Sequence, residues 1–361
     1  MSAEVISADD LAALRDSVVD LIARGGGSTA VRAAIAAPQR TDGQLWAGLT
    51  EIGAAALAVP EELGGAGAGW GSLSAVVEEV GAALAPVPLL SSAVMATGAL
   101  MMAANNSSTV PAELGDLVEA LASGERTATL CLAGETSWDT PGVSADGGLL
   151  TGTAHYVTDA EAATDLVVLA GPGPHATVHV IAADSPGVEV VPVATMDPTR
   201  PLSRVRFTEA AAEAFPAPAD LLPRLRDLVW ALLAVEQVGA AAAALRLTVE
   251  YTKTRKQFGR VIGSFQALKH RMADMYADVE TARSIAYAAV DAIDTPAGAE
   301  LAAAAHVHCS EAFSHIVAEA VQLHGGIGIT WEHDIQLYFK RAHGSAQFFG
   351  QPVDVVAGTP L

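Results

Sequence analysis

Residues 251–266 read YTKTRKQFGRVIGSFQ and form a basic stretch in a 361-residue chain whose formal net charge is −21. Two glycines interrupt the helical spacing of this stretch, so we expect one helix to end near Arg255 and another to begin at Gln266. Such a corner presents a guanidinium group, the aromatic ring of Phe258 and free helix-terminal amides together. These groups suit a bound phosphate attached to a flat ring system. An ordinary helix–turn–helix with a solvated basic corner is the alternative that these residues leave open.

A second stretch, residues 322–330, reads QLHGGIGIT and follows a segment with helical spacing. One glycine is enough to end a helix. The second and third glycines therefore indicate a further requirement, namely close approach of the backbone to a ligand and unhindered N–H donors.

Together the two stretches resemble the acyl-CoA dehydrogenase family. The resemblance runs over nearly the whole chain and is strongest in the C-terminal third, fair in the N-terminal third and weakest in the middle. The residues that carry it are Arg255-Lys256-Gln257-Phe258-Gly259, Phe265-Gln266 and Gln322-Leu323-His324-Gly325-Gly326-Ile327-Gly328.

Length and composition limit the possible classes of protein. A chain of 361 residues is too long for one ordinary core, so two or three structural units are expected. The acidic balance argues against a nucleic-acid partner. We expect no membrane span and no signal peptide, because residues 88–104 are more typical of a core helix and the first 24 residues lack an apolar block. Cys131 and Cys309 are the only cysteines, which predicts two buried thiols and a cytoplasmic location.

The spacing of apolar residues predicts an all-helical N-terminal domain over residues 1–125. Residues 57–70, LAVPEELGGAGAGW, match a family loop that connects two helices, and we interpret this segment as structural. The predicted helices cover residues 8–24, 42–56, 72–84, 89–104 and 111–122.

Residues 126–218 change to short apolar runs bounded by Gly, Pro or Asp, which predicts a β domain. No helical segment separates the runs, so we expect a small antiparallel barrel or sandwich instead of a parallel sheet. The predicted strands cover residues 127–134, 149–157, 166–170, 178–182 and 188–192.

Residues 219–361 return to long amphipathic segments joined by short turns, which predicts an up-down helical bundle. The complete order of helical domain, β domain and bundle is the α+β fold of the acyl-CoA dehydrogenase family. The predicted bundle helices cover residues 222–253, 264–293, 300–323 and 334–344.

The resemblance implies FAD as the cofactor, bound between subunits, so that a dimer or larger assembly is expected. In the family, an arginine that matches Arg255 binds the pyrophosphate, and residues that match Phe258 and Gln266 line the same cofactor. The adenosine end is contacted from the neighbouring subunit by residues that match Gln322, Gly325, Gly326 and Gly328.

Two stretches in the middle of the chain depart from the family pattern. Residues 133–138, AGETSW, stand where the family has a Thr-Glu-Pro-Gly type of loop near the flavin. Residues 155–158, HYVT, stand where the family commonly has Trp-Ile-Thr. Tyr156 can still stack on a ring, and Thr158 can still donate a hydrogen bond to the flavin.

The third departure concerns the catalytic base. The family places its glutamate at one of two positions, which here hold Val229 and Gly350, and neither residue accepts a proton. Asp227 and Glu236 are the nearest acids in sequence, with a structural role as the alternative for Glu236, and His343 lies near the C-terminal position. The catalytic residue is therefore left unassigned.

Three histidines on one predicted helix do not indicate a metal site. His306, His308 and His315 have separations that do not place them on one face of a helix.

The resemblance implies oxidation of an acyl-CoA thioester to the trans-2-enoyl-CoA in fatty-acid or steroid side-chain degradation. The empty base positions resemble the subunit of an α2β2 acyl-CoA dehydrogenase that completes the FAD site without carrying the glutamate. A homodimer or homotetramer is the other arrangement, and an electron-transfer flavoprotein or similar protein is the expected acceptor. A non-catalytic scaffold that binds acyl-CoA or a flavoprotein is the competing interpretation.

Overall fold

The computed structural model describes residues 7–106, 110–171 and 176–358. Its N-terminal part is helical, as predicted, with a π-helical segment over Leu89–Ala96. The sequence prediction missed α2, and it joined α3 to the short 3-10 turn Ala54–Ala56 as one helix. The helices are α1 (Ala8–Gly25), α2 (Ser28–Ala36), α3 (Gly43–Glu51), α4 (Gly69–Ala83), α5 (Thr97–Asn105) and α6 (Ala112–Ser123).

Side-chain caps define the start of two of these helices. The side chain of Ser7 accepts a hydrogen bond from the backbone N–H of Asp10 at 3.1 Å, and Asp42 accepts one from Leu45 at 2.9 Å. Each cap satisfies an N–H group that has no partner inside the helix. Gly26 then ends α1 in the left-handed conformation, with φ +106°.

The middle part contains two four-stranded sheets, with strand orders β1-β4-β5-β8 and β2-β3-β7-β6. Buried residues of both sheets, including Cys131, Leu166, Leu150 and Phe207, form one hydrophobic cluster. The sheets therefore pack face to face as a sandwich, and over the described residues they do not close into a barrel. The strands are β1 (Ala128–Cys131), β2 (Val143–Asp146), β3 (Leu149–Thr158), β4 (Asp165–Ala170), β5 (Thr177–Ala182), β6 (Val188–Val193), β7 (Leu202–Ala211) and β8 (Glu213–Phe215).

Two expectations about these sheets need correction. The sandwich is not wholly antiparallel, because β1 pairs with β4 in parallel, from Ala128 opposite Asp165. The lack of a helix between the strands argues against a parallel sheet, but one parallel pair forms because the chain returns to the first sheet after the β2–β3 hairpin in the second one. Strands β2, β7 and β8 were also missed. For β7 the signal was present, since its side chains alternate between buried and exposed along much of the strand.

The C-terminal part is a set of long helices, as predicted. Gln237 of α7 donates a hydrogen bond to Ser310 of α9 at 3.0 Å and so joins two of them. The sequence prediction missed the last helix, α11. The elements are α7 (Leu221–Thr254), β9 (Lys256–Gln257), β10 (Arg260–Val261), α8 (Gln266–Asp291), α9 (Gly298–His324), α10 (Ile335–Ser345) and α11 (Pro352–Gly358).

Helix α7 is long and apolar enough to cross a membrane, but 94% of its most apolar window is buried inside the protein. It therefore has the environment of a core helix. The segment at residues 88–104, which the sequence singled out, is the shorter apolar region Leu89–Asn105.

The described residues belong to two compact units. The first contains Met1–Val76, Pro86–Thr195 and Arg200–Val229, and the second contains Val77–Ala85, Met196–Thr199 and Trp230–Leu361. The three-domain boundaries at residues 125 and 218 stay predictions.

Candidate functional site

The basic stretch forms a helix end followed by a tight hairpin. Helix α7 ends at Thr254, and the backbone N–H of Arg255 still bonds to the carbonyl of Tyr251 at 2.9 Å. The carbonyl of Arg255 then accepts the N–H of Ile262 at 2.8 Å, across the base of the β9–β10 hairpin. Arg255 is thus fixed on both sides of its backbone, while its side chain is exposed. Helix α8 begins at Gln266, as predicted, and that side chain is exposed too.

Phe258 lies at the tip of this hairpin in a strained conformation. Its φ is +52° and that of Gly259 is +76°, the pair of positive values that a two-residue hairpin turn of type I′ requires. A bulky residue there is an outlier, and the side chain is 89% exposed. An exposed ring gains little from packing, so its strained placement suits a surface that binds a ligand or another chain.

The glycine-rich stretch follows the end of α9 as a 3-10 turn over Gly325–Ile329. Gly325 has φ +65°, and a β-carbon added to it or to Gly326 would meet no atom within 4 Å. The backbone of both residues is therefore open to a ligand. Gly328 differs, because its β-carbon would approach the Val321 carbonyl at 3.1 Å, so close packing explains that glycine by itself. Gln322 is exposed on the last turn of α9.

The structure brings the end of α7 and the glycine loop together through Tyr251. Its ring stacks on His324 with centroids 4.4 Å apart, and its hydroxyl donates to the His324 carbonyl at 3.2 Å. His333 lies against the same imidazole, also at 4.4 Å. Burial lowers the pKa of His324, with a smaller contribution from His333. The neutral ring donates from Nδ1 to the Ala320 carbonyl at 2.7 Å.

In the first unit, strand β3 offers one side chain suited to a bound cofactor. Thr158 is only 3% exposed, and its hydroxyl has no hydrogen-bond partner among the described residues, although its carbonyl accepts from Thr129 at 2.6 Å. A buried hydroxyl without a partner is costly, so a bound acceptor would satisfy it. This orphaned group fits the flavin that the resemblance implies.

Tyr156 lies two residues earlier, where β3 shifts register against β7 between Ala154 and Val157. It has φ +56°, donates its hydroxyl to the Glu135 carbonyl at 2.8 Å, and packs against Trp138 with centroids 5.1 Å apart. The two stretches that depart from the family pattern therefore contact each other.

Neither position for a catalytic glutamate holds an acid. Val229 is fully buried in α7. Gly350 has φ +107°, and its carbonyl accepts a hydrogen bond from His306 Nε2 at 2.8 Å.

Glu236, the acid considered as a substitute, is part of a closed ion-pair network in the second unit. It is 7% exposed and bound by Arg341 Nη1. The same arginine binds Asp197 at 2.8 Å and the carbonyl of Thr199 at 2.9 Å. A buried carboxylate needs a partner for its charge, and Arg341 supplies that partner. This geometry supports the structural role for Glu236.

The other two candidates have different surroundings from Glu236. Asp227 pairs with Arg226 at 3.2 Å. Burial raises the pKa of Asp227, and Arg226 opposes this shift. His343 is exposed and donates from Nδ1 to the Phe339 carbonyl at 2.9 Å. The catalytic residue stays unassigned.

Metal and thiol chemistry find no support in the described ranges. They contain no group of three or more His, Cys, Asp or Glu side chains placed to hold a metal ion. His306 binds Gly350, and His315 binds Asp278 at 2.9 Å. Cys131 and Cys309 are both free and buried, as predicted. Burial raises the pKa of Cys309 to about 12, so this thiol is protonated.

Sequence reasoning missed the residues that connect the predicted ones. Tyr251 and His333 fasten the glycine loop, and Arg341 neutralises Glu236. Tyr251 could have been found from the sequence, because it lies four residues before Arg255, one helical turn away. Arg341 had no local signal, because its partners lie 105 and 144 residues away in the chain.

Comparisons with known proteins show the family to which this chain is similar. The profile of the acyl-CoA dehydrogenase N-terminal domain matches residues 8–112, and that of the C-terminal domain matches residues 231–351. Acyl-CoA dehydrogenase IpdE2 of Mycobacterium tuberculosis is 44% identical over 344 residues, which are 95% of this chain and 94% of that protein.

Two solved structures have a similar fold. The Tcur3481–Tcur3483 steroid ACAD has a TM-score of 0.87 and 29% identity, with 97% of this chain and 96% of that chain covered. The ChsE4–ChsE5 complex from Mycobacterium tuberculosis also has a TM-score of 0.87 and 29% identity, with 99% and 100% covered. The chain belongs to the acyl-CoA dehydrogenase family, whose cofactor is FAD.

Proposed function

We propose that this chain is the subunit of a heteromeric FAD-dependent acyl-CoA dehydrogenase that takes part in FAD binding and does not carry the catalytic base. The observation that carries the proposal is that neither base position holds an acid and that Glu236 is held in an ion pair. Val229 and Gly350 occupy the two base positions, and Glu236 is bound by Arg341 in the protein interior. The α-proton of the substrate is therefore removed by a carboxylate of the partner subunit.

The residues available to hold FAD support this proposal. In the second unit, the exposed guanidinium of Arg255 neutralises the pyrophosphate, and the open backbone of Gly325 and Gly326 lets the nucleotide approach. The remaining proposed contacts are Phe258, Gln266, Gln322 and Gly328. In the first unit, the buried hydroxyl of Thr158 donates to the flavin. When bound, FAD supplies the two-electron oxidation of the Cα–Cβ bond to the trans-2-enoyl-CoA.

The similar solved structures favour a particular assembly and class of substrate. Both are named for two components, and one of them is called a steroid ACAD. We extend these features to the present chain as an α2β2 assembly that oxidises an acyl-CoA with a steroid-derived acyl group. An electron-transfer flavoprotein or similar protein then accepts the electrons, in the cytoplasm. A homodimer or homotetramer that acts on fatty acyl-CoA is the second candidate, and the subunit stoichiometry separates the two.

A scaffold without a redox role is the competing interpretation. It does not explain why a strained, exposed Phe258 and an open glycine loop accompany Arg255. A scaffold that binds only acyl-CoA has no use for these features, and flavin absorbance of the purified protein distinguishes the two functions.

The test compares the chain purified alone with the chain co-expressed with a catalytic subunit of the same family. Dye reduction is measured with a steroid side-chain CoA thioester and a straight-chain acyl-CoA, together with flavin content and stoichiometry. A positioned acid or base contributes on the order of 10²–10⁴-fold, so the lone chain should be slower than the complex by about that factor.

The matched control is Glu236→Gln in the complex. Any loss of turnover should follow a loss of stability, because the substitution weakens the ion pair with Arg341. Rapid turnover by the lone wild-type chain that disappears in a folded Glu236→Gln variant would refute the proposal.

A further inference from the structure

The corner at Phe349 and Gly350 has an unusual backbone. Phe349 has φ +62° and Gly350 has φ +107°, so two consecutive residues adopt left-handed values. For a bulky residue such as Phe349 this conformation is strained. Strain of this kind persists only where the surroundings enforce it, and it concentrates at functional segments.

Two buried aromatic side chains from different helices enforce this corner. Trp230 of α7 donates from Nε1 to the Phe349 carbonyl at 3.1 Å, and His306 of α9 donates from Nε2 to the Gly350 carbonyl at 2.8 Å. The indole and imidazole rings stack on each other, with centroids 5.2 Å apart and planes at 12°. Each donor thus limits the movement of the other.

His306 is held in one chemical form. It is fully buried, and burial lowers its pKa, an effect only partly opposed by the bond to Gly350. Because Nε2 carries the proton that Gly350 accepts, Nδ1 is unprotonated, and it has no partner among the described residues. The ring thus places its one donor on the corner and leaves the other nitrogen unsatisfied, so the bond to Gly350 is the polar contact that this side chain makes among the described residues.

We infer that Trp230 and His306 are positioning residues that hold the Phe349–Gly350 corner in a conformation closed to a catalytic carboxylate. An added β-carbon at Gly350 would meet no atom within 4 Å, so space does not exclude a glutamate. The backbone disfavours one, because φ +107° lies outside the values that residues other than glycine readily adopt. This inference rests on the proposed function and extends it. It explains the lack of a base at residue 350 by the backbone conformation of the corner, and not only by the identity of one residue.

The first experiment measures cleavage by chymotrypsin under native conditions. Phe348 and Phe349 are buried at the corner, whereas Phe258 is exposed at the hairpin and serves as an internal reference. His306→Leu removes the donor and should raise the rate of cleavage after Phe348 and Phe349 at least tenfold relative to cleavage after Phe258. His306→Gln retains an N–H donor and should stay within about threefold of the wild type, and Trp230→Phe should behave like His306→Leu.

The second experiment measures how much the left-handed backbone at residue 350 favours glycine over alanine. Gly350→Ala should lower the folding equilibrium constant about fivefold, the effect expected of a β-carbon in a left-handed conformation. Gly43→Ala is the matched control, because Gly43 is equally open, its φ is not positive, and it is not among the proposed FAD contacts.

Three results would overturn the inference. In the cleavage experiment, these are equal cleavage at the corner in His306→Leu and the wild type, and failure of His306→Gln to restore protection. In the stability experiment, it is a Gly350→Ala variant as stable as the parent. A uniform rise of cleavage at all buried sites would also count against it, since it would show general destabilisation. None of these outcomes depends on turnover, so the test is independent of the proposed function.

Discussion

The ion-pair network around Arg341 and the exposed hairpin that carries Phe258 differ in which groups they bury. Both lie in the second unit. At Arg341, two acidic side chains and a threonine are buried, and hydrogen bonds from the guanidinium reach all of them. At the hairpin, an apolar ring is exposed on a strained residue beside the exposed side chain of Arg255. Charged groups are thus enclosed in one region, and an apolar group is presented in the other.

The difference bears on which of the two regions we propose to bind a ligand. A buried acid with a partner for its charge belongs to the framework of the fold, because loss of that partner leaves the buried charge uncompensated. A strained, exposed aromatic ring adds little to stability, so its placement suits a surface that binds a ligand or a partner. The contrast is consistent with a framework role for Glu236 and with the proposed role of Arg255 and Phe258 in cofactor binding.

The largest expected effect is that of Arg341→Ala. The substitution leaves Glu236 and Asp197 buried without their guanidinium partner, and removal of one member of a buried ion pair costs about 3–5 kcal/mol. Urea unfolding should show this loss. Arg206→Ala is the control, because Arg206 pairs with Glu189 on the exposed surface of the sandwich, where a pair contributes about 0–1 kcal/mol. Equal losses for the two variants would show that the Arg341 network is not a closed, buried one.

Arg255→Ala should have the next largest effect, on cofactor affinity. It removes a charge-assisted bond to the pyrophosphate of roughly 1.5–3 kcal/mol, a ten- to hundredfold loss. Fluorescence titration with FAD, in the assembled protein, measures it. Lys253→Ala is a control of equal charge change, because Lys253 is exposed and pairs with Glu250 at 2.5 Å on α7. FAD binding by Arg255→Ala as tight as in the parent would remove this residue from the cofactor site.

Phe258→Gly should separate stability from binding. Glycine relieves a left-handed conformation that costs other residues about 1–2 kcal/mol, and little packing is lost because the ring is exposed. The variant should therefore be as stable as the parent or more so in urea, while its affinity for FAD falls. A variant that loses stability and keeps its affinity would assign Phe258 to the framework, against the comparison.

The smallest expected effect is the dependence of stability on pH. Burial lowers the pKa of His179, His306 and His324 from 6.5, so below about pH 6.5 the unfolded chain binds protons that the folded chain does not. The free energy of unfolding should therefore fall as the pH decreases from 7.5 to 5.5. His306→Gln should reduce this slope, and an unchanged slope would show that His306 is not held neutral by the fold.

Local patterns predicted most of the fold and most of the proposed contacts. The spacing of apolar residues located α7 to α10 with small errors at the ends, and the glycines beside Arg255 and after Gln322 marked the two turns. The parallel pairing of β1 with β4 was not predictable in this way, because it depends on which sheet the β2–β3 hairpin joins. Pairing between distant strands leaves no pattern within either strand.

The sequence by itself determined the family, the order of helical, β and helical regions, the basic stretch around Arg255 and the absence of an acid at residues 229 and 350. Each of these depends on residue identity or on neighbours within a few turns of helix. Only the tertiary structure decided that Arg341 binds Glu236, and that Trp230 and His306 hold the Phe349–Gly350 corner. These contacts join residues 44 to 119 positions apart. Burial and hydrogen bonding at such separations arise from the packing of whole helices, which no local pattern encodes.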